Sequence, residues 1–370
     1  MPGICLFSGT LTVSGPITVF GAGTGISALA AMSATQEMIS VTTSASVIFR
    51  DLAISSTVPK TAGSGIKFEP AGPAQNDHSI IENVRFQLQW NGLLFQKAAY
   101  WTVRNSRFTD LPENAVSIVV RNTTSPDSGD SLIDNVLFAS GGATQTHIAY
   151  QSSGGLKIKS SKFLGGLTAV DANIQESSGI LMIQGNSCEG QAGSCFSVTA
   201  APGADFNQIL ISNNQLDGAP SNALIYWNQY SGSMGRGVIS GNVLMRTAGT
   251  NNMIHIASAG NVLVATNTLV GSGGVGIAID ASCLNCVVGP NLLQAVSLSN
   301  ASATTPHISM QAGTSPGIGL RVTPDLMLLL KKGVRISDAL SINVVNQDDS
   351  ANRKAEVRAT DTQWTAGGHN

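Results

Sequence analysis

One short phrase recurs along this chain and constrains its fold more than any other feature. It is an aliphatic residue, one spacer, a small polar residue or Gly, two spacers, and a buried-type residue. It stands as Val103-Arg-Asn105-Ser-Arg-Phe108, Ile133-Asp-Asn135-Val-Leu-Phe138, Ile211-Ser-Asn213-Asn-Gln-Leu216 and Ile239-Ser-Gly241-Asn-Val-Leu244. Aligned on the polar position, the phrase falls at Asn83, Asn105, Asn135, Ser160, Gly185, Asn213, Gly241, Thr266 and Gly289, a spacing of about 26 residues. Strand-like content at that period predicts a stacked solenoid in which each coil covers the hydrogen-bonding edge of its neighbour.

Composition agrees. Only 11% of residues are charged, 40 are Gly and 42% are apolar. The apolar residues form short Val/Ile/Phe runs bounded by Gly, Ser, Asn and Asp, which is strand-and-turn chemistry. A net charge of −2 leaves no basic stripe to replace counterions on a phosphate backbone, so nucleic acid is excluded as a partner. No stretch approaches 18 uninterrupted apolar residues, and no basic segment precedes an apolar one at the N-terminus. Neither membrane insertion nor export by a leader is therefore expected.

The chain divides into three regions. Residues 1–75 hold short strands, the Gly-rich turn Gly21-Ala-Gly23-Thr-Gly25 and a coil-like phrase, Val47-Ile-Phe49-Arg-Asp51-Leu. Residues 76–300 are the repeating coils. In each, a second strand is expected after the phrase: Gln145–Gln151, Ala169–Ile174, Cys195–Thr199, Leu224–Asn228, Met253–Ala257 and Gly276–Asp280. Strand alternation then points Ile148, Ala172, Val198, Trp227, Ile256 and Ile279 inward. Asn186, Asn214, Asn242 and Asn267, each one place after the aligned position, are expected to bond from coil to coil. Residues 301–370 lose the period and are expected to cap the stack or mediate oligomerisation, because an open solenoid end exposes unpaired backbone.

The coil phrases, the opening Gly9-Thr-Leu-Thr-Val-Ser-Gly-Pro-Ile-Thr-Val-Phe-Gly-Ala-Gly-Thr-Gly25 and the following Phe49-Arg-Asp51-Leu resemble the pectate-lyase-like right-handed β-helix superfamily, and within it bacteriophage tailspikes and related appendages. The resemblance implies an all-β, right-handed parallel β-helix of roughly ten coils. It also implies a homotrimeric virion appendage, assembled in the host cytoplasm beside other tail proteins, that binds and often cleaves bacterial surface polysaccharide. The family's usual Asp-x-Gly-Ala-x-Gly-Asp-Gly-type opening is missing, which implies a truncated or minimal member.

Candidate chemistry follows from the scarce acids. Between residues 163 and 300 these are Asp171, Glu176, Glu189, Asp205, Asp217 and Asp280. Glu189 and Asp217 each fall four places after the aligned residue of adjacent coils. They are expected to stack, close enough to leave an acid beside a base for glycoside hydrolysis. The alternative is a row on the second strand carrying Asp171, His255 and Asp280, with Tyr226, Asn228, Tyr230 and His147 as a sugar-binding surface. Both sets also read as ordinary turn residues and a solvated face, which would leave a non-catalytic structural or adhesin rod. A uronate lyase or epimerase is a third reading, weakened by the lack of Arg or Lys near that row until Arg236 and Arg246.

No cofactor or metal is expected, since Cys283-Leu-Asn-Cys286 has no second pair to complete a zinc site. The five cysteines are an odd number and are expected to be reduced structural thiols, with Cys188 filling a core slot.

Overall fold

A computed structural model shows an all-β chain wound as a right-handed parallel β-helix. It describes residues 3–121, 129–139, 142–152, 154–174, 178–202, 204, 206–229, 236–284 and 286–302, with strand segments at 308–312, 318–322, 342–345, 354–360 and 363–366. Glu176, Asp205 and Tyr230 lie outside the described residues.

Each central coil presents three strands, and equivalent strands stack into three parallel faces. The first face holds the aliphatic half of the phrase, as in Ser131–Asp134, Leu156–Lys159 and Arg236–Ser240. The second holds its apolar end, as in Lys162–Leu164, Ser187–Glu189 and Gln215–Gly218. The third is a twelve-stranded sheet running from Leu11–Val13 to Ser297–Asn300. The stack begins near the N-terminus, where Gly3–Phe7 pairs with Ser27–Ala31. The Gly21–Gly25 segment turns directly into that strand. Beyond residue 300, Ile308–Ala312 still pairs in parallel with Leu292–Gln294, but Ile318–Val322 pairs antiparallel and the period ends.

The recurring polar position is a bend between the first two faces, and backbone conformation explains its composition. Asp51, Asn83, Asn105, Asn135, Ser160, Asn213 and Thr266 have φ between 50° and 58°, and Gly185 and Gly241 have φ of 66°. This left-handed region is one that Asn and Gly enter at little cost. The last aligned residue is Pro290, not Gly289. Thr266 N–H donates to the Pro290 carbonyl, and Leu292 stacks on Thr268.

The next residue turns inward and binds the coil below. Ser106 Oγ accepts from Val84 N–H, and Ser161 Oγ from Val136 N–H. From there Asn takes over: the side-chain oxygens of Asn186, Asn214, Asn242, Asn267 and Asn291 accept the N–H of Ser161, Asn186, Asn214, Asn242 and Asn267 at 2.9–3.0 Å. All five Asn residues are buried, so the column satisfies backbone that no strand pairing reaches.

Beside this column runs an apolar one. Phe86, Phe108, Phe138 and Phe163 stack with ring centroids 4.6, 5.2 and 4.8 Å apart, and Cys188, Leu216, Leu244 and Leu269 continue the row, all fully buried.

The cysteine expectation needs correction. Cys188 and Cys195 form a disulfide, with a Cα–Cα distance of 6.0 Å. The corner between Ser187–Glu189 and Ser194–Ala200 folds both inward positions toward each other. An odd total does not prevent one bridge.

Candidate functional site

The third face carries the more complete site. Alternation is clean in Ile225–Gln229, where Ile225, Trp227 and Gln229 point inward, leaving Tyr226 and Asn228 outside. In Ile254–Ser258 the same alternation leaves His255 outside, and in Thr168–Ile174 it leaves Asp171 and Asn173. Register aligns Ala149, Asp171, Ser197, Tyr226 and His255 in one outward row, which ends on the buried Ala278. Asn173, Thr199 and Asn228 form a second row beside it, which breaks at an irregularity after Trp227.

The C-terminal part of the first row is a contact cluster. His255 Nε2 lies 3.1 Å from Asp280 Oδ2, and the Tyr226 ring meets the imidazole edge-on at 5.5 Å. Asp280 follows the inward Ile279, which stacks on Ile256, so the His255 ring reaches diagonally across one coil to meet it. Asp171 is mostly buried. Desolvation raises its pKa, and a hydrogen bond with Ser197 opposes that rise. The row therefore offers a carboxyl with a raised pKa, an aromatic edge and an imidazole held against a carboxylate, strung along the solenoid axis.

His147 does not belong to this surface. Register stacks Ile148 on Val170 and Ala149 on Asp171, two residues away from the expected alignment. His147 sits inside, 1% exposed, tilted against Phe138 and Phe163, with Nε2 2.9 Å from the Gly165 carbonyl. Burial pushes its pKa down to about 4. An unfolded His protonates near pH 6.5 while the folded one stays neutral. Stability is thus full above pH 6.5 and is lost as pH falls toward 4, by on the order of 3 kcal/mol. His147→Gln is expected to flatten that part of the stability–pH curve, as measured by urea denaturation across the range.

On the second face, Glu189 and Asp217 are adjacent partners in register. One coil separates them, about 4.8 Å along the stack. Their surroundings differ. Glu189 Oε1 is 3.2 Å from Lys162 Nζ and accepts from Ser187 Oγ at 3.1 Å, so that oxygen is already engaged. Asp217 Oδ1 is buried without a hydrogen-bond partner.

Neither set assembles an acid and a base on one bond. Asp171 and His255 lie three coils apart, about 14 Å, beyond the spacing of either glycosidase geometry. Glu189 and Asp217 have the spacing, but one of them is held in an ion pair. Among the described residues, no group of three or more His, Cys, Asp or Glu comes together to hold a metal. Elsewhere, Trp101 is buried against Phe95, and Tyr100 is half exposed and stacks on His78.

One surface was not legible as a site. On the first face Met182, Leu210, Val238, Leu263 and Val287 stack in register and point outward, forming an apolar stripe parallel to the solenoid axis. Leu263 and Val287 are 38% and 40% exposed. Its signal was present in the sequence as apolar residues immediately before the aliphatic position of the phrase.

Comparison with known proteins locates the chain by fold. The model of the right-handed β-helix region matches residues 37–242, more than half of the chain. No curated protein matches it in sequence. Among solved structures, DFA-IIIase from Arthrobacter chlorophenolicus A6 without its lid is 12% identical, with 81% of this chain and 86% of that one covered and a TM-score of 0.58. The surface protein and adhesin PfbA of Streptococcus pneumoniae is 12% identical over 84% and 89%, with a TM-score of 0.46. A tailspike protein of E. coli bacteriophage HK620 is 11% identical over 85% and 60%, with a TM-score of 0.36. At such identities the likeness is one of fold.

Proposed function

The chain belongs to the right-handed β-helix family, and we propose that it is a tailspike-like receptor-binding protein that lays a bacterial surface polysaccharide along its third face. The observation that carries this reading is the outward row Asp171, Ser197, Tyr226 and His255, with Asp280 on His255. Hydrogen-bonding groups repeated along a rigid axis, with an aromatic among them, suit an extended polymer of polar rings. Binding is favoured over cleavage because the row spaces its titratable groups too widely for one glycosidic bond.

Hydrolysis at Glu189 and Asp217 is the second reading, favoured by their adjacency and by the orphaned Asp217 oxygen. In the same proposal the protein is a homotrimeric virion appendage. The apolar stripe supports self-association: it runs parallel to the solenoid axis, so copies related by rotation about a parallel axis bring the same residues together.

The test is titration of the purified chain with a panel of bacterial surface polysaccharides, following binding, new reducing ends and the ultraviolet absorbance of unsaturated uronates. Saturable binding to a member of the panel without either cleavage signal is expected. New reducing ends lost in both Glu189→Gln and Asp217→Asn would move the activity to the second face. Absorbance would indicate a lyase, and absence of binding across the panel would contradict the reading.

A further inference from the structure

Cys283 and Cys286 lie in the corner after the third-face strand Val275–Ile279, and no step of the proposed function uses them. Both are fully buried. Cys283 Sγ is 3.8 Å from the Ile256 carbonyl and Cys286 Sγ 3.8 Å from the Ala259 carbonyl, so both side chains point at the preceding coil. The two thiols also interact with each other, which raises the Cys283 pKa and lowers that of Cys286, making Cys286 the readier thiolate. Leu284, next to Cys283, is 52% exposed, and Ala281 and Ser282 are exposed as well, so the corner lies at the protein surface. A disulfide already closes another corner of this solenoid, at Cys188 and Cys195.

We propose that Cys283 and Cys286 are an oxidisable pair that closes into a second disulfide on meeting a small-molecule disulfide such as oxidised glutathione. The Cys286 thiolate attacks one glutathione sulfur, breaking that S–S bond and releasing one glutathione thiolate. Cys283 then loses its proton to solvent and attacks the Cys286 sulfur of the mixed disulfide, releasing the second glutathione. The cysteine pair gives up two electrons, and the glutathione disulfide takes them as it becomes two thiols. The new ring tethers the corner that begins at Asp280, whose carbonyl accepts the Cys283 N–H at 3.1 Å and whose carboxylate holds His255. The inference is independent of polysaccharide binding.

The experiment incubates the native full chain with oxidised glutathione, alkylates with N-ethylmaleimide in denaturant and maps peptides by mass. Exposed Cys5 reports that the oxidant is active. The expected peptide spanning Cys283 and Cys286 carries neither alkyl group nor glutathione, has lost two hydrogen atoms, and reverts with dithiothreitol. Cys283→Ser is expected to trap glutathione on Cys286. Alkylation of both cysteines after Cys5 has fully reacted would overturn the proposal, as would stable glutathione on Cys286 in the unaltered chain.

Discussion

Replacing Asn214 by Ala is expected to lower the unfolding free energy by about 3 kcal/mol, among the largest effects of any polar substitution in this chain. Its side-chain oxygen accepts from both the N–H and the amide of Asn186, at 2.9 and 3.0 Å, and its own amide donates to Ile183 O and Asn242 Oδ1. Asn186 is 2% exposed and Asn214 1%, so water does not replace what the substitution removes. An orphaned buried N–H costs its full desolvation, and the interruption falls mid-column, where both neighbouring coils feel it. Asn213→Gly, one residue earlier, is the control. That residue is exposed with φ of 56°, a conformation Gly adopts freely, and a change within about 1 kcal/mol is expected. Chemical denaturation of the two variants side by side checks the difference. Equal losses would mean that the column does not hold the coils together.

Tyr226→Ala is expected to weaken polysaccharide binding about tenfold or more while changing stability by less than about 1 kcal/mol. The ring is only partly buried and packs on the outside of the sheet against His255, whereas the core position beside it is Trp227. Removing it takes away the one large apolar surface in the row without opening the interior. His255→Ala should weaken binding further, since it also releases Asp280. Calorimetric titration of the two variants against the polysaccharide bound by the unaltered chain reads this directly. Unchanged affinity in both would remove the third face from the account.

The stack was legible because its signal is periodic. Nine phrases at a nearly constant spacing define the coils, and inward Trp227, Ile256 and Ile279 followed from alternation alone. The Asn column was visible as a recurring letter, although its Ser forerunners and Asn291 were not. Less legible was anything set by register. Ile148 was placed two residues off because the turn before its strand differs in length from its neighbours, a slip that changes which residues meet but not their face, whereas His147 is inside because alternation fails at the start of that strand, where His147 and Ile148 are both buried. Gly289 occupied the aligned slot in sequence, while in space it packs against Ala265 and Pro290 makes the bend. The Cys188–Cys195 bridge depends on how tightly one corner folds, which residue counts do not encode. For the site, alternation put Asp171, Tyr226 and His255 on one row, but the His255–Asp280 contact is diagonal between coils. The ion pair of Glu189 with Lys162 likewise joins adjacent coils and needed their true stacking.

Carboxyl footprinting tests the central claim most directly. The full chain is labelled with a water-soluble carbodiimide and an amine, with and without saturating polysaccharide, and modification is quantified at each acid by peptide mass. If the third face is the binding surface, labelling of Asp280 and Asp171 falls on binding while Glu189 and Asp217 label as before. Protection of Glu189 and Asp217 with none at Asp280 and Asp171 would contradict it and place the polymer on the second face.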